Sequence, residues 1–416
     1  MQWTALGINY GMVADNLPPP TEVVKILQSM SVTQTRIYNA DPKVLRAFAS
    51  TGISVMVSIG NEDVSRMTDT TYAAQWVESN IAAFYPSTII SGILVGNEVF
   101  TGEDAGLIAD LLPAIHNIYG GLKAQGLHRD ILVSTAHSLA VLDTSYPPSA
   151  GQFAAGAAKP MVSLLSFLSE TQAPFMINAY PYFAYKADPG GVSLQYVLSS
   201  QSSSSSTPAG TSTAEVLTSS SSEAAQAAST VTDPSTGLLY TGMLDAQVDA
   251  VYAAIAAAGF GSGGSFGGSG GSGVSVIVSE TGWPSSGDPD EAGASVGNAQ
   301  EYNANLVARL ASGRGTPAHP AAPLTAFIFA LFNENQKPGP SSERHYGLLY
   351  PNGSRVYDVG PTSSFSSSYS YSSLYAYATM SSSSSSSSPS PLPADLCRIA
   401  LPFLFLFFFF LRMAAS

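Results

Sequence analysis

The sequence is poor in cysteine. Its 416 residues include one, Cys397, so it holds no internal disulfide framework and no cysteine-rich zinc module. A cysteine nucleophile is excluded too, because this residue lies in a terminal segment outside the expected core. The five histidines show no metal-ligand spacing. The glycine motif Gly259–Gly264 follows a helical pattern and precedes a strand, the reverse of a dinucleotide site. The sequence therefore predicts neither a metal nor a cofactor.

Charged residues are scarce as well. They make up 11% of the chain, against roughly 25% in an average soluble domain. Lysine and arginine total 16 without forming a run, and the formal net charge of −13 excludes nucleic acid as a partner. Apolar residues reach 45%, which is ample for a buried core. Serine, threonine, glycine and asparagine must then supply much of the surface, which suits a neutral polar ligand such as a sugar.

The two ends concern targeting rather than fold. Met1 leads almost directly into the strand pattern Thr4–Tyr10, with no signal peptide before it. We expect an extracellular protein whose true N-terminus lies upstream; a cytosolic chain is the alternative. At the other end, Ile399–Leu411 is an apolar run of 13 residues, shorter than a membrane span of about 20. It follows the serine run Ser381–Ser388 and a polar spacer, an order that predicts a glycosylphosphatidylinositol (GPI) anchor signal. A misread tail is the other interpretation.

Low-complexity stretches divide the remaining sequence. We predict one domain over residues 1–360, with a Ser-rich insertion at about 199–230 and a Gly/Ser insertion at about 259–273. Residues 361–398 are interpreted as a disordered Ser-rich stalk and spacer, and 399–416 as the hydrophobic tail. None of the low-complexity stretches carries enough apolar surface to offset the entropy of ordering it.

The predicted domain alternates short apolar runs with helical patterns. Alternation of this kind indicates parallel strand pairing. Eight strands covered on both faces indicate a closed (β/α)₈ TIM barrel. A doubly wound open sheet is the alternative fold. The predicted strands are Thr4–Tyr10, Thr33–Tyr38, Ile53–Ile59, Ile89–Val95, Ile131–Thr135, Phe175–Ala179, Val274–Ser279 and Thr325–Ala330. The predicted helices are Thr21–Met30, Pro42–Thr51, Thr71–Phe84, Asp104–Gln125, Met161–Thr171, Met243–Ala258 and Val296–Ala311.

Catalytic groups of a TIM barrel gather where its strands end. Glu98 follows the fourth predicted strand and Glu280 the seventh, while tyrosines and asparagines follow the others. Aromatic faces suit the apolar side of sugar rings, and amides or acids suit hydroxyls. Cleavage of a glycosidic bond generally requires two carboxyl groups, one protonated and one ionised. Glu98 and Glu280 are the candidate pair.

Motifs around these carboxylates resemble those of plant-type β-1,3-glucanases, glycoside hydrolase family 17. The resemblance extends over about residues 4–358, with six motifs in the family's order. The motifs stand at Gly7–Gly11, Val95–Val99, Asn178–Phe183, Leu244–Tyr252, Val278–Ser285 and Phe332–Lys337, with Arg36–Tyr38 and Glu343–Leu348 matching as well.

The resemblance implies a role for each matching residue. Glu280 corresponds to a nucleophile and Glu98 to the acid/base of a retaining mechanism, while Asn97 would hold the sugar 2-hydroxyl. Glu334, Lys337 and Glu343 match a charged cluster that binds glucose beside the nucleophile. Tyr180 would hydrogen-bond the nucleophile, and the remaining substrate-binding candidates, on the rim of the cleft, are Trp283, Phe332 and Tyr38. Tyr38 is equally well explained by packing, and Glu62, in a second Asn-Glu pair, is interpreted as structural.

The predicted function is endo-hydrolysis of (1→3)-β-glucan, either callose or a microbial wall polymer. A hydrolase of mixed-linkage glucan, a transglycosylase and a non-catalytic glucan-binding wall protein remain alternatives. The expected partner is the glucan itself; we expect a monomer, attached to a membrane only through the anchor.

Overall fold

A computed structural model describes residues 2–3, 6–199, 230–261, 273–360 and 369–370 of the protein. Eight parallel strands form a closed barrel, and their order around it is their order in the chain. This confirms the predicted TIM barrel and excludes the open sheet. The strands are β1 (Leu6–Tyr10), β2 (Gln34–Ile37), β3 (Ser54–Ile59), β4 (Ile89–Asn97), β5 (Leu132–Ser138), β6 (Phe175–Asn178), β7 (Val276–Thr281) and β8 (Ala326–Ile328).

Helices cover the outside of the barrel. They are α1 (Pro20–Ser29), α2 (Pro42–Ala47), α3 (Asn61–Val64), α4 (Thr70–Val77), α5 (Ala105–Ala124), α6 (Ala155–Thr171), α7 (Pro181–Ala187), α8 (Leu194–Leu198), α9 (Met243–Ala257) and α10 (Val296–Ala311). A π-helical turn, Glu78–Ala82, continues α4. Short 3₁₀ turns occupy Ser65–Thr68, Val99–Thr101, Leu139–Val141, Pro148–Ala150 and Ser341–Arg344.

Three two-stranded ladders lie outside the barrel. They pair Gln2–Trp3 with Tyr369–Ser370, Leu142–Thr144 with Gln152–Phe153, and Val231–Thr232 with Leu239–Tyr240. No helix within the described ranges is both long and apolar enough to cross a membrane.

Local sequence explains where several helices begin. The side chains of Asp41, Asp69 and Asp104 each accept hydrogen bonds from two backbone amides at the starts of α2, α4 and α5. These amides have no partner inside their helices, so each aspartate satisfies donors that would otherwise be unpaired. The side chains of Ser193 and Ser295 each accept a hydrogen bond from one backbone amide at the starts of α8 and α10.

The barrel interior is filled by side chains from six strands. The inward-facing cluster consists of Met56, Leu94, Ala136, Met176, Ile277 and Phe327. Gly7 of β1 pairs in register with Phe327 of β8, and a β-carbon at Gly7 would lie 2.3 Å from the phenylalanine ring. Any larger residue at position 7 would therefore displace this ring. A second, much larger cluster packs the outward faces of the strands against the helices.

Most predicted elements agree with the structure, and the exceptions have local causes. α6 begins at Ala155 rather than Met161, and Pro160 lies inside its second turn, where proline supplies no amide donor; this helix-breaking residue explains why the predicted helix began after it. α2 ends early, at Ala47, and Ser50 and Gly52 beyond it have positive φ. The prediction missed α3, α7 and α8, which are short. Most of both insertions, the proposed stalk after residue 360 and the hydrophobic tail fall outside the described residues.

Candidate active site

The two candidate glutamates lie at the same end of the barrel, where its strands terminate. Glu98 directly follows β4, whereas Glu280 is the penultimate residue of β7 rather than the first residue beyond it. Glu280 pairs in register with Asn178, the last residue of β6. The parallel barrel therefore brings residues that are far apart in the sequence to one mouth.

Both carboxylate oxygens of Glu280 accept hydrogen bonds. Arg36 Nη1 donates to Oε1 at 2.8 Å and the Tyr38 hydroxyl donates to the same oxygen at 2.9 Å. The Tyr180 hydroxyl donates to Oε2 at 2.8 Å. Burial, together with the nearby Glu280 charge, raises the pKa of both tyrosines well above its ordinary value, so both remain donors. A guanidinium and two phenols thus fix the orientation of the Glu280 carboxylate.

The environment of the Glu98 carboxyl group differs from that of Glu280. Burial is the largest effect on its carboxyl group and the negative charge of Glu280 adds to it, raising the pKa of Glu98 to about 7. A hydrogen bond from Asn178 Nδ2 to Oε1, 2.8 Å long, acts in the other direction. The backbone of Glu98 is left-handed, with φ of 58°, a conformation uncommon for residues other than glycine. This turn directs the residue into the mouth immediately after β4.

Asn97 connects the two glutamates through hydrogen bonds. Its Oδ1 accepts from Arg36 Nη2 at 2.9 Å and from Asn178 Nδ2 at 3.3 Å. Because Arg36 also binds Glu280 and Asn178 also binds Glu98, one polar network includes both carboxylates. Asn97 Nδ2 has no acceptor among the described residues and remains available to a ligand. The Asn61 side chain fixes the backbone of Asn97, since its Oδ1 accepts from Asn97 N at 2.8 Å and its Nδ2 donates to Asn97 O at 3.0 Å.

The predicted charged cluster forms beside the mouth. Lys337 Nζ lies 3.9 Å from Glu334 Oε2, 3.7 Å from Glu343 Oε2 and 4.0 Å from the centre of the Phe329 ring. Burial raises the pKa of both glutamates, and Lys337 opposes that effect. Gly11 makes room for Glu334, because a β-carbon there would lie 2.3 Å from the carboxylate. Glu280 also acts electrostatically on both glutamates, so the cluster belongs to the same electrostatic site.

Two aromatic residues occupy different positions from those expected. Trp283 has 0% and Phe332 2% of its surface exposed, so neither ring borders the cleft. Trp283 packs against Tyr182 and Tyr302 and donates from its indole nitrogen to the carbonyl of Gly293. These contacts, and the Tyr10 ring beside Phe332, take up the surface that a sugar would need. The half-buried aromatic residues of this region are Tyr38, Tyr180, Phe183 and Tyr185.

Sequence reasoning assigned no role to three polar residues of the network. Arg36 and Asn178 lay within matched motifs, and Asn61 lay beside the glutamate interpreted as structural. Arg36 carried the strongest signal: it is a charged residue inside an otherwise uncharged strand pattern, and it is fully buried. Glu62 is exposed on α3, and no described hydrogen bond joins its side chain to either candidate glutamate.

Another buried carboxylate, that of Glu291, fixes the loops behind the mouth. Glu291 accepts from Lys186 Nζ at 2.7 Å, from Ser342 Oγ at 2.6 Å and from the backbone amides of Ser342 and Asp288. Burial raises its pKa, but these hydrogen bonds together outweigh burial and hold the pKa at about 2. The residue thereby links α7 to the loops that follow β7 and β8.

Comparisons with known proteins agree on one family. The family model described as Glycosyl hydrolases family 17 matches residues 6–360. The Arabidopsis thaliana protein named Glucan endo-1,3-beta-glucosidase 10 is 45% identical over 367 residues, covering 88% of this chain and 78% of the relative. The Olea europaea protein named Glucan endo-1,3-beta-D-glucosidase is 39% identical over 356 residues, covering 85% of this chain and 69% of the relative.

Two similar solved structures come from plants. One is CJP38, a β-1,3-glucanase and allergen of Cryptomeria japonica pollen, with a TM-score of 0.73 and 37% identity. It aligns with 86% of this chain over 99% of its own length. The other comes from a study of two plant β-glucan endohydrolases with distinct substrate specificities, with a TM-score of 0.70 and 36% identity. It aligns with 85% of this chain over 99% of its own length.

Proposed function

This chain belongs to family 17 of the glycosyl hydrolases, and on that premise we propose that it cleaves (1→3)-β-glucosidic bonds within β-glucan chains. The solved plant β-1,3-glucanase that it resembles has a similar overall fold, and the named relatives include endo-1,3-β-glucosidases. Their names support the linkage, and the arrangement of the glutamates supports the reaction.

The contrast between the two carboxyl groups carries the proposal. The pKa of Glu98 is raised to about 7, so this group still holds a proton near neutral pH. Glu280 receives hydrogen bonds from a guanidinium and two phenols. A proton donor and an ionised carboxylate at one barrel mouth are the two groups that glycosidic cleavage generally requires.

In the proposed reaction Glu280 is the nucleophile. Its carboxylate oxygen attacks the anomeric carbon while the bond from that carbon to the leaving oxygen breaks, and Glu98 gives its proton to the leaving oxygen. A water molecule then gives a proton to Glu98 and its oxygen to the anomeric carbon, releasing Glu280. Two displacements at one carbon retain the anomeric configuration. The free Nδ2 of Asn97 would donate to the sugar 2-hydroxyl.

Reducing-sugar release by the full chain, secreted behind an added signal peptide, tests the proposal. Soluble β-1,3-glucan, mixed-linkage glucan and soluble cellulose are offered in parallel, with a Glu280→Gln variant. Selective cleavage of the β-1,3 polymer is expected, and the variant should lose it. Glu62→Gln is the matched control, because Glu62 also follows an asparagine after a barrel strand but is exposed.

Two outcomes would overturn parts of the proposal. A folded chain that cuts none of the three polymers contradicts the activity, and equal cutting of mixed-linkage glucan contradicts the linkage. The configuration of the first product, followed by proton NMR, separates the mechanisms: a β-anomer agrees with retention, whereas an α-anomer assigns Glu280 a general-base role.

We also propose that the protein is extracellular, monomeric and GPI-anchored. The anchor, and with it the extracellular location, is supported by the sequence of the C-terminal region, where an apolar run follows a spacer and a serine run. Release from plasma membranes by a phosphatidylinositol-specific phospholipase C is the expected result, and truncation before residue 399 should release the protein without the enzyme. Retention on membranes after phospholipase treatment would contradict the anchor. Light scattering of the purified protein at several concentrations measures its oligomeric state.

A further inference from the structure

A cavity of about 490 Å³ lies between the loops after β1, β7 and β8. This volume falls within the range of about 300–1,000 Å³ typical of sites for small molecules. The residues that define its chemistry are Ser286, Val296, Asn333, Arg344, His345 and Tyr350, and we call it the loop cavity. None of the six belongs to the network around Glu98 and Glu280.

One side of the loop cavity presents apolar surface to solvent. Tyr350 is 45% exposed and Val296 is 47% exposed, which places both among the most exposed large hydrophobic residues of the described chain. Pro351 lines the cavity beside them. An exposed aromatic ring next to aliphatic surface provides a face against which the apolar side of a pyranose ring can pack.

The other side presents unused hydrogen-bonding groups. Asn333 Oδ1 accepts from the amide of Gly347, so its Nδ2 remains to donate. Arg344 Nη1 donates to two backbone carbonyls of the same loop, and its Nε and Nη2 donate to no described residue. His345 Nδ1 donates to the carbonyl of Ser341, which leaves Nε2 of the neutral ring as an acceptor. Donors and acceptors thus occur together, as recognition of hydroxyl groups requires.

The charge of the loop cavity favours a neutral ligand. Among the described residues that line it, Arg344 is the single charged side chain, and one edge of its guanidinium is already hydrogen-bonded to backbone carbonyls. An anion site would need more convergent positive charge, such as a second basic side chain.

The loop cavity and the catalytic mouth share two loops. Asn333 precedes Glu334, and Arg344 follows Glu343, so the charged cluster of the mouth and the lining of the cavity occupy adjacent positions on both loops. A ligand in the cavity therefore contacts the segments that position this cluster.

We propose that the loop cavity is a second, non-hydrolysing binding site for β-glucan, which holds long chains while the mouth cuts them. This inference rests on the proposed function. It predicts that the cavity contributes to the affinity for polymer and contributes nothing to the hydrolysis of oligosaccharides that fill only the mouth.

Two substitutions test the cavity without altering its hydrogen-bonded loops. Tyr350→Ala removes the aromatic face, and Val296→Glu places a charge on the apolar side. Val162→Glu is the matched control, because Val162 is a helical valine of similar exposure, 45%, away from the cavity. All are made in the full chain, both in the active protein and in a Glu280→Gln background, in which polymer binding can be measured without cleavage.

Each cavity variant should bind insoluble β-1,3-glucan about three- to tenfold more weakly in the Glu280→Gln background. In the active protein, kcat/KM on a short β-1,3-linked oligosaccharide should remain unchanged, while kcat/KM on polymer falls. The proposal would be overturned if the cavity variants bound polymer as tightly as the parent and Val162→Glu do. Equal losses of kcat/KM on oligosaccharide and on polymer would overturn it as well. Failure of the unsubstituted protein to cut any glucan would instead overturn the proposed function, so the two failures are distinguishable.

Discussion

Arg36 Nη1 lies 2.8 Å from Glu280 Oε1, and the arginine has no exposed surface. The same guanidinium binds Asn97 through Nη2 and stacks over the Tyr38 ring, 4.6 Å from its centre. A buried arginine therefore fixes three groups at once: a carboxylate, an amide and a phenol. Planar guanidinium geometry permits this, whereas the single ammonium of lysine does not.

Arg36→Lys should consequently reduce kcat/KM on β-1,3-glucan on the order of 100-fold. Lysine keeps the charge but cannot donate to Glu280 and Asn97 along two fixed directions. Arg36→Met should in addition lower the free energy of unfolding by about 3–5 kcal/mol, since it leaves a buried carboxylate without its partner. Steady-state kinetics and urea unfolding measure the two effects.

The matched control for Arg36 is Arg66, whose ion pair with Asp63 is exposed. Arg66→Lys and Arg66→Met should change kcat/KM little and stability by less than about 1 kcal/mol. An Arg36→Lys variant with unchanged kcat/KM would remove Arg36 from the catalytic arrangement and leave it a structural role alone.

The pKa of Glu98 predicts the alkaline limit of activity. Hydrolysis requires the protonated acid, so kcat/KM should fall as the pH rises through about 7. Glu280→Gln removes the negative charge that helps to raise this pKa, and the pKa of Glu98 should therefore decrease, although burial keeps part of the shift. Carbon NMR of labelled glutamate carboxyl groups follows the titration. Glu62→Gln should leave it unchanged, and a Glu98 titration that does not respond to Glu280→Gln would contradict the coupling of the two carboxyls.

Tyr180 provides a test of the hydrogen bond on the second oxygen of Glu280. Tyr180→Phe keeps the ring and its packing but removes the hydroxyl that donates to Oε2. Loss of a hydrogen bond to a charged group should lower kcat about 10- to 100-fold with little change in the melting temperature. Tyr185→Phe, on α7 directly after Tyr180 and packed against Trp283, should have kcat near that of the parent. Equal effects of the two substitutions would indicate that the Tyr180 hydroxyl has no special role.

The sequence predicted the barrel well because local patterns determine its elements. Strands such as Ser54–Ile59 are buried on both faces and are therefore mostly apolar, with valine, methionine and isoleucine at four of six positions. Val296–Ala311 was predicted at its observed ends, since Ser295 marks its start. The two glutamates were predicted as a pair because each comes just after a predicted strand inside a recognisable motif, and the structure places both at one mouth. The protonation behaviour of these glutamates was not predicted, because it depends on neighbours that are remote in sequence.

The errors concern contacts between distant parts of the chain. Trp283 lies three residues after Glu280, so its ring was expected in the cleft, yet its partners Tyr182 and Tyr302 bury it. Arg36 is separated from Glu280 by 244 residues, and no local pattern records that a strand arginine meets a carboxylate. Periodicity indicates which face is buried but does not identify what a buried polar group contacts.

Glu291 should stabilise the loops behind the mouth in a pH-dependent way. Its pKa is about 2 in the folded protein and about 4.3 in an unfolded chain, a difference of about 3 kcal/mol. Because the folded pKa is depressed, this stabilisation is present above about pH 4.3 and is lost as the pH falls toward 2. Glu291→Gln should therefore be clearly less stable than the parent in urea at pH 7, and the difference should shrink at pH 3. Glu22→Gln, which disrupts an exposed pair with Lys25, should show almost no difference at either pH. If Glu291→Gln lowered the free energy of unfolding by the same amount at pH 7 and pH 3, the residue would act through its shape rather than its charge.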